Sequence, residues 1–106
     1  MSRQQLELGR LTIKKDERES NAIPLHNDTV VLTIYSSDQI TGGEAFVEVS
    51  SDDSRYVQLY HRGVVVKVQS NGAFSVPIPA CKSLRLSTLL DQEEDRVFQV
   101  LELLEM

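Results

Sequence analysis

Few residues in this 106-residue chain have side chains suited to chemistry, and their spacing limits what each can do. His26 and His61 lie in separate loops, without the close spacing or the partner cysteines of a zinc site. Both read as structural or solvent-exposed. Cys81, the only cysteine, would need a histidine from another loop to act as a nucleophile, and no local motif supplies one. It reads better as a small buried hydrophobe near a strand start. Asp52-Asp53 lack the spaced series of oxygen ligands, ending in glutamate, that a calcium loop requires. Turn-forming aspartates that bond their own backbone explain the pair more simply. Asp91, Glu93, Glu94 and Asp95 form a solvated acidic turn, and Thr41-Gly42-Gly43 has neither the following lysine nor the helix start of a phosphate cradle. With no nucleophile, base and metal held in mutual reach, the expectation is a protein that is not an enzyme and uses no cofactor or metal.

One constellation suits binding. Tyr56, Gln58 and Tyr60 share one parity of a strand, and Val57 and Leu59 share the other. With the valine and leucine facing the core, the two tyrosines stand outward about 13 Å apart, at about 3.3 Å per residue. An exposed aromatic pair with an amide between suits a glycan or a protein interface. The plainer alternative is that one tyrosine covers the edge of the core and the other is incidental.

The elements that must position these residues are strands. Glu44–Val49, Tyr56–Tyr60, Val64–Val68 and Ala73–Ile78 alternate apolar with polar residues and are separated by Ser, Asp, Asn and Gly, the pattern of half-buried antiparallel hairpins. Asn71-Gly72 has the two residues that best tolerate the positive φ of a two-residue hairpin turn. Before this block, Thr29–Tyr35 reads as a central strand, because its second face (Val31, Thr33, Tyr35) is only partly polar. After it come Ser83–Thr88 and Arg96–Leu104. A helix over Gln92–Glu105 is the rival reading of the last segment, but Arg-Val-Phe-Gln-Val has β-branched and aromatic residues at period two. Pro77 and Pro79 each remove a ladder donor, so the end of their strand is expected either to lie at an edge or to leave the sheet.

Residues 6–14 form a first strand with a fault. Leu6 and Leu8 share one parity, and Leu11 and Ile13 share the other. A β-bulge at Gly9 would bring all four to one face; alternatively Gly9 separates a short arm from the first true strand. Residues 1–22 thus read either as an N-terminal arm plus charged loop, or as the start of the sandwich itself. In the arm reading Leu6, Leu8, Leu11 and Ile13 make contacts beyond their own domain. Lys15–Asn21 is charged, has no apolar anchor and reads as a solvated loop.

Eight strands at roughly 8–12-residue spacing predict one all-β domain over 1–106, an antiparallel β-sandwich of jelly-roll or immunoglobulin-like type with seven or eight strands. The expected inward set is Leu32, Ile34, Val47, Val49, Val57, Leu59, Val66, Phe74, Val76, Leu84, Leu86 and Leu101. Apolar residues at 41% and charged residues at 25% suit a folded domain, and a net charge of −5 with no cluster of cations disfavours nucleic acid and anionic membrane as partners. A lone cysteine allows no internal disulfide, and no apolar run suits a signal peptide or a membrane span.

The segment from Val31 to Leu86 resembles small β-sandwich modules of tailed-bacteriophage virions. The likeness rests on Val31-Leu-Thr-Ile-Tyr-Ser-Ser-Asp leading to a Thr-Gly-Gly turn, then Ala45-Phe-Val-Glu-Val-Ser-Ser-Asp-Asp followed by the aromatic Tyr56. Asn-Gly, Phe74-Ser-Val-Pro-Ile-Pro and Ser83-Leu-Arg-Leu complete it. About half of the chain is covered. The resemblance implies a head-decoration or tail-associated structural protein, located in the virion and binding itself or other virion proteins. The chain departs from the pattern at Asp53-Ser54, where such modules often have Asp-Gly, and at Tyr56, where they often have Trp. The second departure weakens the glycan reading.

Overall fold

The structure, a computed structural model, describes residues 3–26, 29–36, 39–77 and 81–105, with side chains from Gln5 to Leu104. Branched and aromatic residues alternating with polar ones favour the pleated strand, and the described residues form eleven strands: β1 Arg3–Ile13, β2 Ile23–Pro24, β3 Thr29–Ser36, β4 Glu44–Ser50, β5 Val57–Gln58, β6 Tyr60–His61, β7 Val64–Val65, β8 Lys67–Gln69, β9 Ala73–Pro77, β10 Ser83–Ser87 and β11 Arg96–Glu105. One sheet has the order β1-β11-β3-β9, and the other β2-β10-β4-β5 with β8 also paired to β4. Every pairing is antiparallel, and the fold is the expected all-β sandwich.

The pairings are nested. β1 joins β11, β2 joins β10, β3 joins β9, β4 joins β8, and β6 joins β7 at the centre. The chain is one long antiparallel hairpin rolled so that successive arms alternate between two sheets. That is the jelly-roll arrangement rather than the immunoglobulin-like one.

The tip of the long hairpin is Arg62-Gly63, with φ of 53° and 79°. Both residues take the positive φ of a type I′ turn. The sequence placed such a turn at Asn71-Gly72, where only Asn71 has positive φ, at 54°. Gly72 N–H instead donates to the Gln69 carbonyl at 3.2 Å.

The expected strands over 56–60 and 64–68 each break, at Leu59 and Val66, for one reason. Val47 N–H donates to Val66 C=O (3.0 Å), Leu59 N–H to Val47 C=O (2.9 Å) and Val66 N–H to Leu59 C=O (2.8 Å). At this knot β4 changes partner from β5 to β8. Leu59 and Val66 turn into the core, and β6 and β7 leave the sheet as a separate two-stranded ribbon.

Leu11, Ile13, Leu32, Ile34, Val76, Phe98 and Val100 meet Ala45, Val47, Val49, Val68, Leu84 and Leu86 between the sheets. Three of the residues expected inward are not buried. Val57 and Phe74 pair with the buried Val49 and Ile34 and keep their inner parity, but they sit on the edge strands β5 and β9 and stay exposed. Leu101 is only half-buried, because Phe98, Val100, Glu102 and Leu104 take the inner face of β11. A carboxylate tolerates that place only with partners. His26 Nδ1 and Thr29 Oγ1 supply them, at 2.5 and 2.7 Å from Glu102.

β1 has its bulge. Gly9 pairs with Val100 and Glu7 with Leu101, leaving Leu8 as the extra residue. Of the two readings of residues 6–14, the single faulted strand within its own sandwich holds. Lys15–Asn21, expected as a solvated loop without an apolar anchor, is largely exposed and is tied through its backbone. Asp16 N–H donates to Gln92 C=O, Ser20 N–H to Leu86 C=O, and Thr88 N–H to Arg18 C=O, at 2.8–2.9 Å. The strand end expected at Ile78, and Pro79 after it, lie outside the described residues.

Candidate interaction surfaces

Consecutive leucines at the turn from β10 to β11 are both exposed, Leu89 at 70%, the highest of the large apolar residues described, and Leu90 at 51%. Adjacent exposed apolar side chains are the kind of surface that contacts a partner, and hydrogen bonds hold the backbone of this tip. Gln92, two residues on, is 1% exposed. Its Oε1 accepts from Thr41 N–H (2.9 Å) and Arg96 Nε (3.3 Å). Its Nε2 donates to Leu90 C=O (3.1 Å), Thr88 Oγ1 (3.1 Å) and Thr41 C=O (3.2 Å). Thr88 Oγ1 donates to Leu90 C=O as well, at 2.8 Å. On the other side the Leu90 side chain lies over Gly42, where a Cβ would stand 3.3 Å from its Cδ1. Asp91, Glu93, Glu94 and Asp95 are exposed around the pair, and Asp91 holds Arg18 at 2.7 Å. The tip is therefore an apolar knob with a carboxylate rim on a satisfied polar base. Sequence reading found the acidic turn and missed the knob; the available signal was Leu89-Leu90 standing outside any strand alternation, followed by one amide among acids.

The tyrosines do not form the expected outward pair. Tyr56 packs on the sheet, its hydroxyl 2.8 Å from Ser83 Oγ and its ring under the Arg85 guanidinium at 4.3 Å. Arg85 is held in turn by Glu48 (2.7 Å) and Glu19 (2.8 Å). Gln58 is exposed on β5 opposite Glu48. Tyr60 belongs to the separate β6–β7 ribbon, where it and Val64 are both exposed. The break at Leu59 is what parts the two rings.

Of the four arm residues, Leu11 and Ile13 are fully buried and Leu8 packs against the core. Leu6, paired with Glu102, is 38% exposed. The edge of β1 is covered along one half only. Asn21 Oδ1 accepts from Thr12 N–H (2.8 Å), Asn21 Nδ2 donates to Arg10 C=O (3.2 Å), and Ile13 bridges to Ser20.

The residues weighed for chemistry have structural work. His26 serves Glu102, and burial pushes the Cys81 thiol up as it packs against the core. Asp52 Oδ1 accepts from Ser54 N–H and Arg55 N–H, at 3.0 Å each, which holds its carboxyl well below the usual range. No three acidic, histidine or cysteine side chains among the described residues are grouped to hold a metal ion. No helix among them is long and apolar enough to cross a membrane.

No family model matches the chain, and no curated protein matches it. Its fold is shared with solved structures. The SPBc2 prophage-derived protein YomS superimposes with a TM-score of 0.66 at 9% identity, over 96% of this chain and 93% of that one. The Bacillus endospore appendage pili (TM-score 0.49, 8% identity, 100% of this chain and 92% of that one) lie lower. So does a de novo designed double-stranded β-helix (TM-score 0.47, 12% identity, 96% and 99%). At these identities the likeness is one of fold.

Proposed function

We propose that this chain is a non-enzymatic structural protein that works through protein–protein contacts in a larger assembly, a bacteriophage virion, as a head-decoration or tail-associated component. The observation that carries the contact is the Leu89-Leu90 knob, pre-ordered by Gln92 so that docking costs little conformational entropy. Its rim of Asp91, Glu93, Glu94 and Asp95 asks for an apolar pocket edged with lysine or arginine. The same rim disfavours an anionic lipid surface. The virion setting is supported by the fold shared with a prophage-derived protein and by the sequence likeness to tailed-phage modules.

The test is made on particles purified from a lysate of the source. The chain is expected in them at stoichiometric amounts, and Leu89→Asp with Leu90→Asp is expected to remove it while the purified variant melts as the parent does. A chain absent from the particles, or one that enters them equally well as the double variant, overturns the reading.

A further inference from the structure

Edges left open by a sandwich invite other strands, and most edges here are blunted. In one sheet, β9 closes with Pro77; in the other, β2 is two residues long and includes Pro24, β5 is two residues long, and β8 is three residues long and begins with a lysine. The exception is β1, eleven residues long and terminal in its sheet. Asn21 and Ser20 cover it from Arg10 to Ile13. From Arg3 to Glu7 the strand is regular, pairs with β11 on one side and has neither proline nor lysine.

Which groups face outward follows from the register. Asn21 binds Thr12 N–H and Arg10 C=O, so residues opposite Val97 and Gln99 turn their backbone away from β11. Backbone direction alternates along an antiparallel ladder, and the bulge at Leu8 shifts the count by one. Residues 3, 5 and 7, opposite Glu105, Leu103 and Leu101, therefore present N–H and C=O to the open edge.

We infer that this edge pairs with the same edge of a second copy, antiparallel about a two-fold axis at Gln5, joining two four-stranded sheets into one. This rests on the assembly reading above and names one partner, the chain itself. The register is set by three features. Only a centre at Gln5 uses the whole regular span and brings residues 3, 5 and 7 of both copies into about six new backbone hydrogen bonds. It sets position 7, a glutamate, opposite position 3, an arginine, so no like charges face each other. It also brings the two half-exposed Leu6 residues to diagonal positions, about 7–8 Å apart, on the inner face. Beyond Glu7 the bulge and the Asn21 cap end the ladder, which limits the union to two copies.

The test uses the full chain. Sedimentation is expected to give twice the 12.0 kDa chain mass at tens of micromolar. Gln5→Pro removes an N–H that β11 does not use, and should give the single-chain mass with unchanged circular dichroism. Glu7→Lys is expected to weaken dimers about tenfold, and adding Arg3→Glu to restore them. With Cys81→Ser as background, Gln5→Cys should form a disulfide dimer on mild oxidation, the paired Cα atoms lying about 5.5 Å apart, whereas Arg10→Cys in the capped half should not. A monomeric parent, a dimer indifferent to Gln5→Pro, a charge swap without rescue, or equal cross-linking at position 10 overturns the inference. A monomer that still enters particles overturns only the self-pairing, and a dimer that never enters them overturns only the virion reading.

Discussion

Replacing Gln92 by leucine tests whether the polar base beneath the leucine knob is what holds it. The substitution keeps the side-chain volume, so the cavity contribution is small. Five hydrogen bonds disappear, to Thr41 N–H, Thr41 C=O, Thr88 Oγ1, Leu90 C=O and Arg96 Nε. Thr88 Oγ1 and Leu90 C=O still have each other, and Arg96 keeps Thr41 Oγ1 and Glu94. Thr41 loses both backbone partners, at roughly 1–3 kcal/mol for each buried group left unpaired. Water reaches the half-buried Thr41 in part, which brings the expected loss to about 3 kcal/mol. A domain of this size has a total stability of about 5–15 kcal/mol, so the variant should stay folded and melt about 15 °C lower. In urea the midpoint should fall while the slope is unchanged. Amide exchange at Thr41 and at 88–91 should accelerate far more than exchange in β3 or β4. A loss below about 1 kcal/mol, or a uniform rise in exchange, would refute a local polar anchor.

Other substitutions and conditions give sharper local readouts. Asp52 has a carboxyl held below its unfolded value of about 3.9; its contribution is fully present above that pH and is lost only as pH falls through the lower folded value. The amide shifts of Ser54 and Arg55, followed by NMR, should therefore hold steady through pH 4 and move only in strong acid; a midpoint near pH 4 would contradict the turn geometry. Gly63→Ala should cost about 1–2 kcal/mol, because φ is 79° and the added methyl meets nothing within 4 Å; a thermal melt matching the parent's would show that the turn is not held in that conformation. Cys81, half-buried against the core with its thiol pushed up, should react with a disulfide reagent at pH 7.5 more slowly than free cysteine and speed up in urea; equal rates would mean that the packing does not shield it.

Parity along each strand made the sheets legible, because Leu32/Ile34, Val47/Val49 and Leu84/Leu86 have polar or half-polar neighbours. It failed where a second interaction overrode the alternation. Glu102 takes an inner position that hydropathy assigns to Leu101, and the compensation comes from His26 and Thr29, more than seventy residues away. Parity also cannot tell an inner position in mid-sheet from one at an edge, as Val57 and Phe74 demonstrate. The break at Leu59 depends on β4 exchanging partners at Val47, a long-range event without a local signature. For the candidate site, Leu89 and Leu90 were visible as types but not as a surface. Their exposure follows from the Gln92 anchor, whose partners lie both next to it and fifty-one residues away at Thr41.

The nested pairing also sets an order of events during synthesis. β11 is the last of these strands to leave the ribosome, yet its place is between β1 and β3. Until it arrives, β3 can pair only with β9 in the four-stranded sheet, and β1 lacks its ladder partner, with Asn21 and Ser20 available only to its Arg10–Ile13 half. The inner arms around Arg62-Gly63 can close while the chain is still growing, since their partners are near in sequence. For the time needed to translate the last strand, both edges that β11 will occupy stand open. A copy emerging beside another on the same message could capture β1 in that interval. The edges of β1 and β3 that β11 fills are thus the last in this sheet to be closed as the chain is made.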